Sequence, residues 1–179
     1  QSYPSGPVLH MPRIDPLTPR QERLFEAYEE GAHIMAVGSA GTGKTFITMA
    51  NFLGGVLAEE PYHDKLLIVR STEPVKDQGF LPGSIKEKQK VYEAPYQAIC
   101  AEMFDRGDAY DLLKHRDKIQ FESSSYLRGM TWRNCAILVD EIQNMTAAEC
   151  HTIMTRVGEN CQIAFCGDLR QNDLVKGKG

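Results

Sequence analysis

One eight-residue segment constrains the fold more than any other feature of this chain. Residues 38–45 read Gly-Ser-Ala-Gly-Thr-Gly-Lys-Thr, with glycine, glycine, lysine and threonine at the positions that a phosphate-binding loop requires. Residues 33–37 before it form a short apolar run that predicts a buried strand, and residues 44–57 after it have helical spacing. A strand, a glycine-rich loop and a helix in this order predict an α/β domain that binds a nucleotide.

The residue types of this loop suit the binding of phosphate. Glycine lets backbone N–H groups curve around an anion without side-chain clashes, and the start of the next helix adds the positive end of its dipole. We expect Lys44 to reach the β- and γ-phosphates as a catalytic residue and the Thr45 hydroxyl to bind Mg²⁺. The residues expected to contact the nucleotide are Gly38, Ser39, Ala40, Gly41, Thr42, Gly43, Lys44 and Thr45.

Two acids follow a second apolar run. Residues 135–139 read Cys-Ala-Ile-Leu-Val, which is typical of a central parallel strand covered on both faces, and Asp140 and Glu141 come directly after it. Open α/β sheets bind their ligands at the carboxyl ends of such strands. We therefore expect Asp140 to bind Mg²⁺, directly or through water, and Glu141 to orient or deprotonate an attacking water molecule.

The remainder of the chain predicts a single domain around a mainly parallel sheet. Residues 1–19 contain five prolines, so we interpret residues 1–17 as an extended leader and residues 18–179 as one domain. Five apolar strands alternate with helices, which predicts a three-layer α/β fold. Thr18 with Gln21, and Thr146 with Glu149, predict capping boxes at the starts of two helices. The second helix is expected to bury a face made of Cys150, Ile153, Met154 and Val157.

Composition excludes several classes of function. The net charge is −4, so the whole chain has no general attraction to nucleic acid, and no apolar run reaches the length of a membrane-spanning helix. The five cysteines form no C-x-x-C pair, and the histidines lack metal-ligand spacing. These features predict a cytoplasmic protein without a structural metal site.

Several motifs together resemble the PhoH-like proteins, a family of P-loop ATPases common in bacteria and phages. Beside the loop, they are Asp-Glu-Ile-Gln-Asn-Met-Thr at 140–146, Tyr-Leu-Arg-Gly-Met-Thr at 126–131, Gly-Asp-Leu-Arg-Gln-Asn-Asp at 167–173 and Gly-Phe-Leu-Pro-Gly at 79–83. The resemblance covers about residue 17 to the C-terminus. It implies a RecA-like core of the superfamily 1 helicase type, ATP hydrolysis and assembly into rings. Family sequences continue past the position of Gly179, so we interpret the chain as C-terminally shortened.

The resemblance also assigns roles outside the loop and the acid pair. Gln143 and Gln171 are expected to sense the γ-phosphate or the attacking water. Gln21 offers a donor and an acceptor to the adenine edge, although its place in the first capping box explains it equally well. Arg128 is the favoured catalytic arginine, ahead of Arg70 and Arg156, and is expected to act from a neighbouring subunit in a homo-oligomer, by resemblance a hexameric ring.

The function favoured by the sequence is Mg-dependent ATP hydrolysis coupled to binding or remodelling of RNA or single-stranded DNA. We expect the nucleic acid to bind near Arg70, Ser71 and Thr72, which follow an apolar strand. Two alternatives stay open: a nucleotide-dependent regulatory switch and a small-molecule kinase that uses the same phosphate loop. The acid pair followed by Gln143, and the lack of an Arg-rich lid in the sequence, argue against a kinase. Glu141 argues against a switch, because a switch has less need of a base beside the Mg²⁺ ligand.

Overall fold

The structure is a five-stranded parallel sheet between two layers of helices. The computed structural model describes residues 9–39, 41–72, 84–127 and 129–168. The strands are β1 (Ile34–Val37), β2 (Lys65–Arg70), β3 (Ile119–Ser123), β4 (Cys135–Val139) and β5 (Gln162–Gly167). The helices are α1 (Pro19–Glu29), α2 (Lys44–Val56), α3 (Ile85–Phe104), α4 (Ala109–His115) and α5 (Ala147–Arg156). The three-layer α/β fold expected from the sequence is thereby confirmed.

The strand order determines which loops meet. The order across the sheet is β1-β5-β4-β2-β3, and all four strand pairs are parallel. Parallel strands need crossover connections, and helices supply those from β1 to β2, from β2 to β3 and from β4 to β5. The carboxyl ends of all five strands therefore lie at one edge of the sheet. The phosphate loop after β1, the acids after β4 and the residues after β5 come together at that edge.

Alternating strand residues divide the core between the two faces of the sheet. On one face, Leu66, Ile68 and Leu138 pack against residues of the first four helices. On the other face, Leu67 and Ile137 pack in a smaller cluster. All five of these strand residues are at most 1% exposed, as expected for strands that are covered on both sides. The second cluster contains Ile153 of α5, which covers that face.

One residue of the predicted α5 face is wrongly assigned. Ile153 is fully buried, and Cys150 and Val157 are partly buried against the same cluster, but the side chain of Met154 is 52% exposed. At about 100° per residue, Ile153 and Met154 lie at opposite ends of the arc that these four residues span, and α5 is turned so that the Ile153 end faces the sheet. Met154 lies at the solvent side of this arc.

The helix starts follow the capping signals with one difference. In α5, the Thr146 hydroxyl accepts from the Glu149 backbone N–H at 3.1 Å, and the Glu149 carboxylate accepts from the Thr146 N–H at 2.7 Å. In α1, the Thr18 hydroxyl accepts from the Gln21 N–H at 3.2 Å. The Gln21 side chain, however, accepts from the N–H of Leu17 at 2.6 Å, so it caps the chain one residue earlier than a capping box would.

Some expectations fall on parts of the chain with limited description. Residues 9–16 run as irregular chain, and Leu9, Met11 and Ile14 pack against the larger core cluster. The family-like segment at residues 79–83 lies outside the described residues, as does the segment 169–179. Within the described ranges, no helix combines the length and the apolar character that a bilayer crossing needs.

Neighbouring residues of α5 allow a direct test of this packing. We expect Ile153→Ala to lower the free energy of unfolding by about 2–5 kcal/mol, because it opens a cavity in the smaller core cluster. Met154→Ala is the matched control and should change it by less than about 0.5 kcal/mol, because its side chain is exposed. Urea denaturation measures both. Equal losses for the two variants would contradict the placement of α5.

Candidate nucleotide-binding site

The phosphate loop turns between β1 and α2 with the backbone conformation that its glycines permit. Gly41 and Gly43 have φ of +77° and +75°, in the left-handed region that favours glycine. The Lys44 ammonium group donates to the backbone oxygen of Ser39 at 2.6 Å and to the Thr42 hydroxyl at 3.2 Å. The loop therefore holds the lysine across its own opening, beside the N-terminus of α2, where an anion is stabilised by the helix dipole.

A buried hydroxyl fixes the first turn of α2. Thr48 is fully buried, and its hydroxyl donates to the backbone oxygen of Lys44 at 2.8 Å. The Tyr28 hydroxyl of α1 in turn donates to the Thr48 oxygen at 2.6 Å. Because Tyr28 is itself buried, this short chain of hydrogen bonds joins α1 to the base of the phosphate loop. The position of Lys44 thus depends on two helices.

The loop and the acid pair meet through Thr45 and Asp140. The Thr45 hydroxyl donates to one carboxylate oxygen of Asp140 at 3.2 Å, and the Tyr96 hydroxyl of α3 donates to the other oxygen at 2.8 Å. Asp140 is only 5% exposed, and burial raises its pKa, although the hydrogen bond from Tyr96 opposes that shift. A cation beside the carboxylate would offset the cost of burying its charge.

The donor set at this point fits Mg²⁺. Magnesium is bound in proteins by one or two carboxylates together with phosphate oxygens and water. A hydroxyl oxygen and a carboxylate oxygen lie side by side here, next to a loop built for phosphate. Within the described part of the chain, no three His, Cys, Asp or Glu side chains gather into a metal-binding group. The Thr45 and Asp140 oxygens suit an ion that is also bound by phosphate oxygens and water.

Glu141 stands in an uncommon backbone conformation beside Asp140. Its φ is +54° and its ψ is +44°, a left-handed geometry that a non-glycine residue adopts at some cost. The Gln143 side-chain nitrogen donates to the Glu141 carboxylate. The Gln143 side-chain oxygen accepts from the backbone N–H of Asp168 at 3.1 Å. Gln143 therefore links the residues that follow β4 to those that follow β5, and it fixes the Glu141 carboxylate at the edge of the sheet.

These groups line one cleft of about 310 Å³ at the carboxyl edge of the sheet. Its lining residues are Gly41, Thr42, Gly43, Lys44, Thr45, Phe46, Ile99, Asp140, Glu141, Gln143, Gly167 and Asp168. Gln21 lies close by, because its side-chain nitrogen is 3.6 Å from where a methyl group on Gly43 would be. The structure thus brings the loop, the acid pair, Gln143 and Gln21 together.

The remaining predicted residues fall into two groups. Ala40, Arg128 and Gln171 lie outside the described residues, so their assignments stay predictions. Arg70 ends β2, and Ser71 and Thr72 follow it. The Arg70 guanidinium lies over the Tyr92 ring at 5.6 Å, and it is close enough to Asp140 to oppose the rise in the pKa of that carboxylate. The Ser71 hydroxyl donates to Glu149 at 3.1 Å, and the Thr72 hydroxyl bonds to that of Ser123 at 2.6 Å.

Sequence reasoning missed Tyr96 and Asp168. Tyr96 lies in the middle of α3, 44 residues before the carboxylate that it contacts, and its sequence context has no feature that marks it. Asp168 follows β5 and lines the cleft. The rule that places ligands at the carboxyl ends of parallel strands could have identified Asp168.

A larger cavity of about 860 Å³ lies at the opposite end of the sheet, beneath residues 11–16. Its wall includes Phe25 and Phe52, together with residues that precede strands, such as His63 before β2. Ligands of open α/β sheets bind at the carboxyl ends of the strands, and the convergent polar groups described above lie there too. The smaller cleft is therefore the better candidate site.

The close approach of β5 to Gln143 gives a test of this geometry. A methyl group at Gly167 would collide with Ile142 and lie 2.8 Å from the Gln143 side-chain oxygen, so Gly167→Ala should cost about 1–3 kcal/mol of unfolding free energy. Gly54→Ala in α2 is the control, since its methyl group meets no described atom within 4 Å, and it should stabilise the helix by about 0.5–1 kcal/mol. Urea denaturation measures both. If Gly167→Ala were as stable as the wild type, the close contact of Gly167 with Ile142 and Gln143 would be wrong.

Comparison with curated proteins finds relatives over most of the chain. It is 33% identical to Protein PhoH of Escherichia coli (strain K12) over 159 residues, which are 88% of this chain and 44% of that protein. It is 32% identical to a PhoH-like protein of Synechocystis over 156 residues, 87% of this chain and 47% of that protein. Protein PhoH2 of Bacillus subtilis is 36% identical over 146 residues. The chain spans less than half the length of these relatives.

Comparison with solved structures supports the fold. The ATPase core of a SWI2/SNF2 protein of Sulfolobus solfataricus, solved in complex with dsDNA, matches with a TM-score of 0.51 and 17% identity. The match covers 94% of this chain and 36% of that one. A sequence model of the family described as PhoH-like protein matches residues 13–179. Together with the phosphate loop these matches identify a P-loop NTPase fold, and the chain belongs to the PhoH-like protein family.

Proposed function

We propose that this chain binds ATP with Mg²⁺ in the cleft and hydrolyses it, and that hydrolysis is coupled to binding or remodelling of RNA or single-stranded DNA. The observation that carries the proposal is the 3.2 Å hydrogen bond between Thr45 and Asp140. It joins the phosphate loop to the acid pair, so that the groups for binding a triphosphate and the group for activating water share one cleft. The five free cysteines fit a reducing, cytoplasmic location.

The loop residues bind the triphosphate. Backbone N–H groups of residues 38–45 surround its phosphates, and Lys44 exchanges its contacts with Ser39 and Thr42 for phosphate oxygens. Thr45 and Asp140 hold Mg²⁺, which when bound neutralises charge on the phosphates. Gln21, beside Gly43, offers its amide to the adenine edge.

Glu141 accepts the proton of the attacking water. The hydrogen bond from Gln143 orients its carboxylate, and the contact of Gln143 with Asp168 fixes that amide in turn. A fixed base removes the need to reorganise the site when water attacks. Gln171 remains the proposed sensor of the γ-phosphate, on the strength of the family motif.

The nucleic-acid partner is proposed from the family and the fold. The similar SWI2/SNF2 core was solved with dsDNA, and the RecA-like core is one that translocating enzymes use. With a net charge of −4, affinity for nucleic acid should be modest and should fall with salt. The carboxyl edge of the sheet, which carries the nucleotide cleft, is the expected face.

Replacing the base should separate binding from hydrolysis. Glu141→Gln keeps the phosphate loop, so we expect it to bind Mg·ATP while its hydrolysis falls by about 100-fold or more. Lys44→Ala should lose affinity and activity together, because it removes a phosphate contact. Glu159→Gln, whose side chain is 86% exposed, is the control for the loss of an acid and should hydrolyse ATP normally. Normal turnover by Glu141→Gln would exclude it as the base.

The same assay separates the proposed function from its alternatives. Phosphate release is measured with ATP alone, with RNA, with single-stranded DNA and with nucleoside acceptors. Release to water that rises with nucleic acid supports the proposal. Transfer of phosphate to an acceptor would identify a kinase, and tight ATP binding without turnover would identify a switch.

A shared site between subunits completes the proposal. P-loop enzymes commonly stabilise the transferred phosphate with an arginine, often from a neighbouring molecule. Arg128 is the proposed donor, from the family motif at residues 126–131. Head-to-tail contacts that supply such a residue close into rings, so a homo-oligomer, proposed as a hexamer, has ATP at its subunit boundaries.

Mixing two inactive variants tests this shared site. Arg128→Ala alone should lower turnover by roughly 1000-fold. When its subunits are mixed with those of Glu141→Gln, some boundaries contain both intact residues, and partial activity should return. The measurement is ATP hydrolysis against mixing ratio, with Lys44→Ala plus Glu141→Gln as the control pair that should not recover. A monomeric protein with turnover independent of its concentration would refute the shared site.

A further inference from the structure

The carboxyl edge of the sheet carries an exposed aromatic side chain close in sequence to β3. Tyr126 ends the 3₁₀ turn Ser124–Tyr126 and is 68% exposed, although most aromatic rings of this chain pack inside. Met130, a few residues later, is 65% exposed. Because β3 runs parallel to the other strands, the turn lies at the same edge as the nucleotide cleft. Its ring is therefore accessible to a ligand that reaches this edge.

Several hydrogen bonds hold the turn that carries Tyr126 in place. The Ser123 hydroxyl accepts from the Ser125 N–H at 3.2 Å. The hydroxyls of Ser124 and Ser125 both donate to the same oxygen of Glu149, at 2.9 Å and 3.4 Å. Hydrogen bonds to a charged acceptor are stronger than neutral ones, so the turn is anchored to α5. A ring held on such a turn loses little conformational freedom when a ligand stacks on it.

A positive charge lies beside the same turn. The Arg156 guanidinium, at the end of α5, donates to the backbone oxygen of Leu127 at 3.2 Å. Its Nε is buried and has no hydrogen-bond partner among the described residues. Proteins bind single strands with aromatic rings on which bases stack and with cations that attract the phosphates. Tyr126 and Arg156 supply one group of each kind near the turn after β3.

The residues first expected to contact nucleic acid are less available. Arg70 lies over Tyr92, and the Ser71 and Thr72 hydroxyls are bonded within the protein. Ser71 is 6% exposed. Among the described residues considered for this role, Tyr126 is one that a base could reach without breaking an internal contact.

We infer that Tyr126 is a base-stacking residue for single-stranded nucleic acid, RNA or DNA, on the face formed by the turn after β3. This inference rests on the proposed coupling to nucleic acid, and it adds the residue and the mode of recognition. Stacking tolerates any base, because every base has a π-face. The face therefore binds strands with little sequence preference.

Binding of labelled oligonucleotides at low salt, measured by fluorescence anisotropy, tests the inference. Tyr126→Ala should weaken the Kd of a single-stranded oligonucleotide roughly tenfold, whereas Tyr126→Phe, which keeps the ring, should bind as the wild type does. Tyr62→Ala is the matched control, because Tyr62 is 75% exposed before β2, at the opposite end of the sheet. It should bind normally.

An abasic strand separates stacking from charge. If Tyr126 stacks on a base, wild type and Tyr126→Ala should bind an abasic oligonucleotide equally, and the dependence of log Kd on log salt should be the same for both. Equal affinity of the two proteins for the ordinary strand would overturn the role of Tyr126 and leave the proposed function intact. If the wild type bound no strand of any length, with or without an ATP analogue, the proposed partner and this inference would both be wrong.

Discussion

The contact between Thr45 and Asp140 holds together the parts of this molecule that can do chemistry. It is a single hydrogen bond of 3.2 Å between residues 95 positions apart, and it joins the start of α2 to the end of β4. It forms because parallel strands bring their carboxyl ends to one edge, so that a loop after β1 and an acid after β4 meet. Without that topology, neither motif would have a partner.

Burying the Asp140 carboxylate at this contact costs folding free energy, which points to a functional role. Asp140 is a buried acid whose pKa is raised by burial, and hydroxyls from Thr45 and Tyr96 share the work of stabilising its charge. Glu141 next to it adopts a left-handed backbone. A chain selected for stability alone would replace a buried acid and a strained residue, and both persist here where the proposed Mg²⁺ and water would lie.

Local sequence signals predicted most of the fold and, in the site, the phosphate loop and the acid pair. Apolar runs such as residues 135–139 coincide with strands because a doubly covered sheet leaves no polar positions in them. Contacts made by docking of distant elements carry no such signal. The hydroxyl of Tyr96 meets Asp140 only because α3 packs on the sheet. Met154 was misassigned for a related reason, since periodicity gives a direction but not how far the neighbouring layer extends.

Glu149 connects the two functional parts of the edge. One carboxylate oxygen caps α5 through Thr146, directly after the loop that contains Glu141 and Gln143. The other oxygen accepts hydroxyls from Ser71, after β2, and from Ser124, after β3. These hydrogen bonds lower the pKa of Glu149, so its carboxylate stays charged and keeps its contacts with Thr146 and with the Ser71 and Ser124 hydroxyls. Any shift of the turn that carries Tyr126 must therefore alter the contacts that fix the start of α5. The proposed nucleic-acid face and the loop that contains Glu141 are therefore joined through the hydrogen bonds of one carboxylate, which is the contact that the proposed coupling would use.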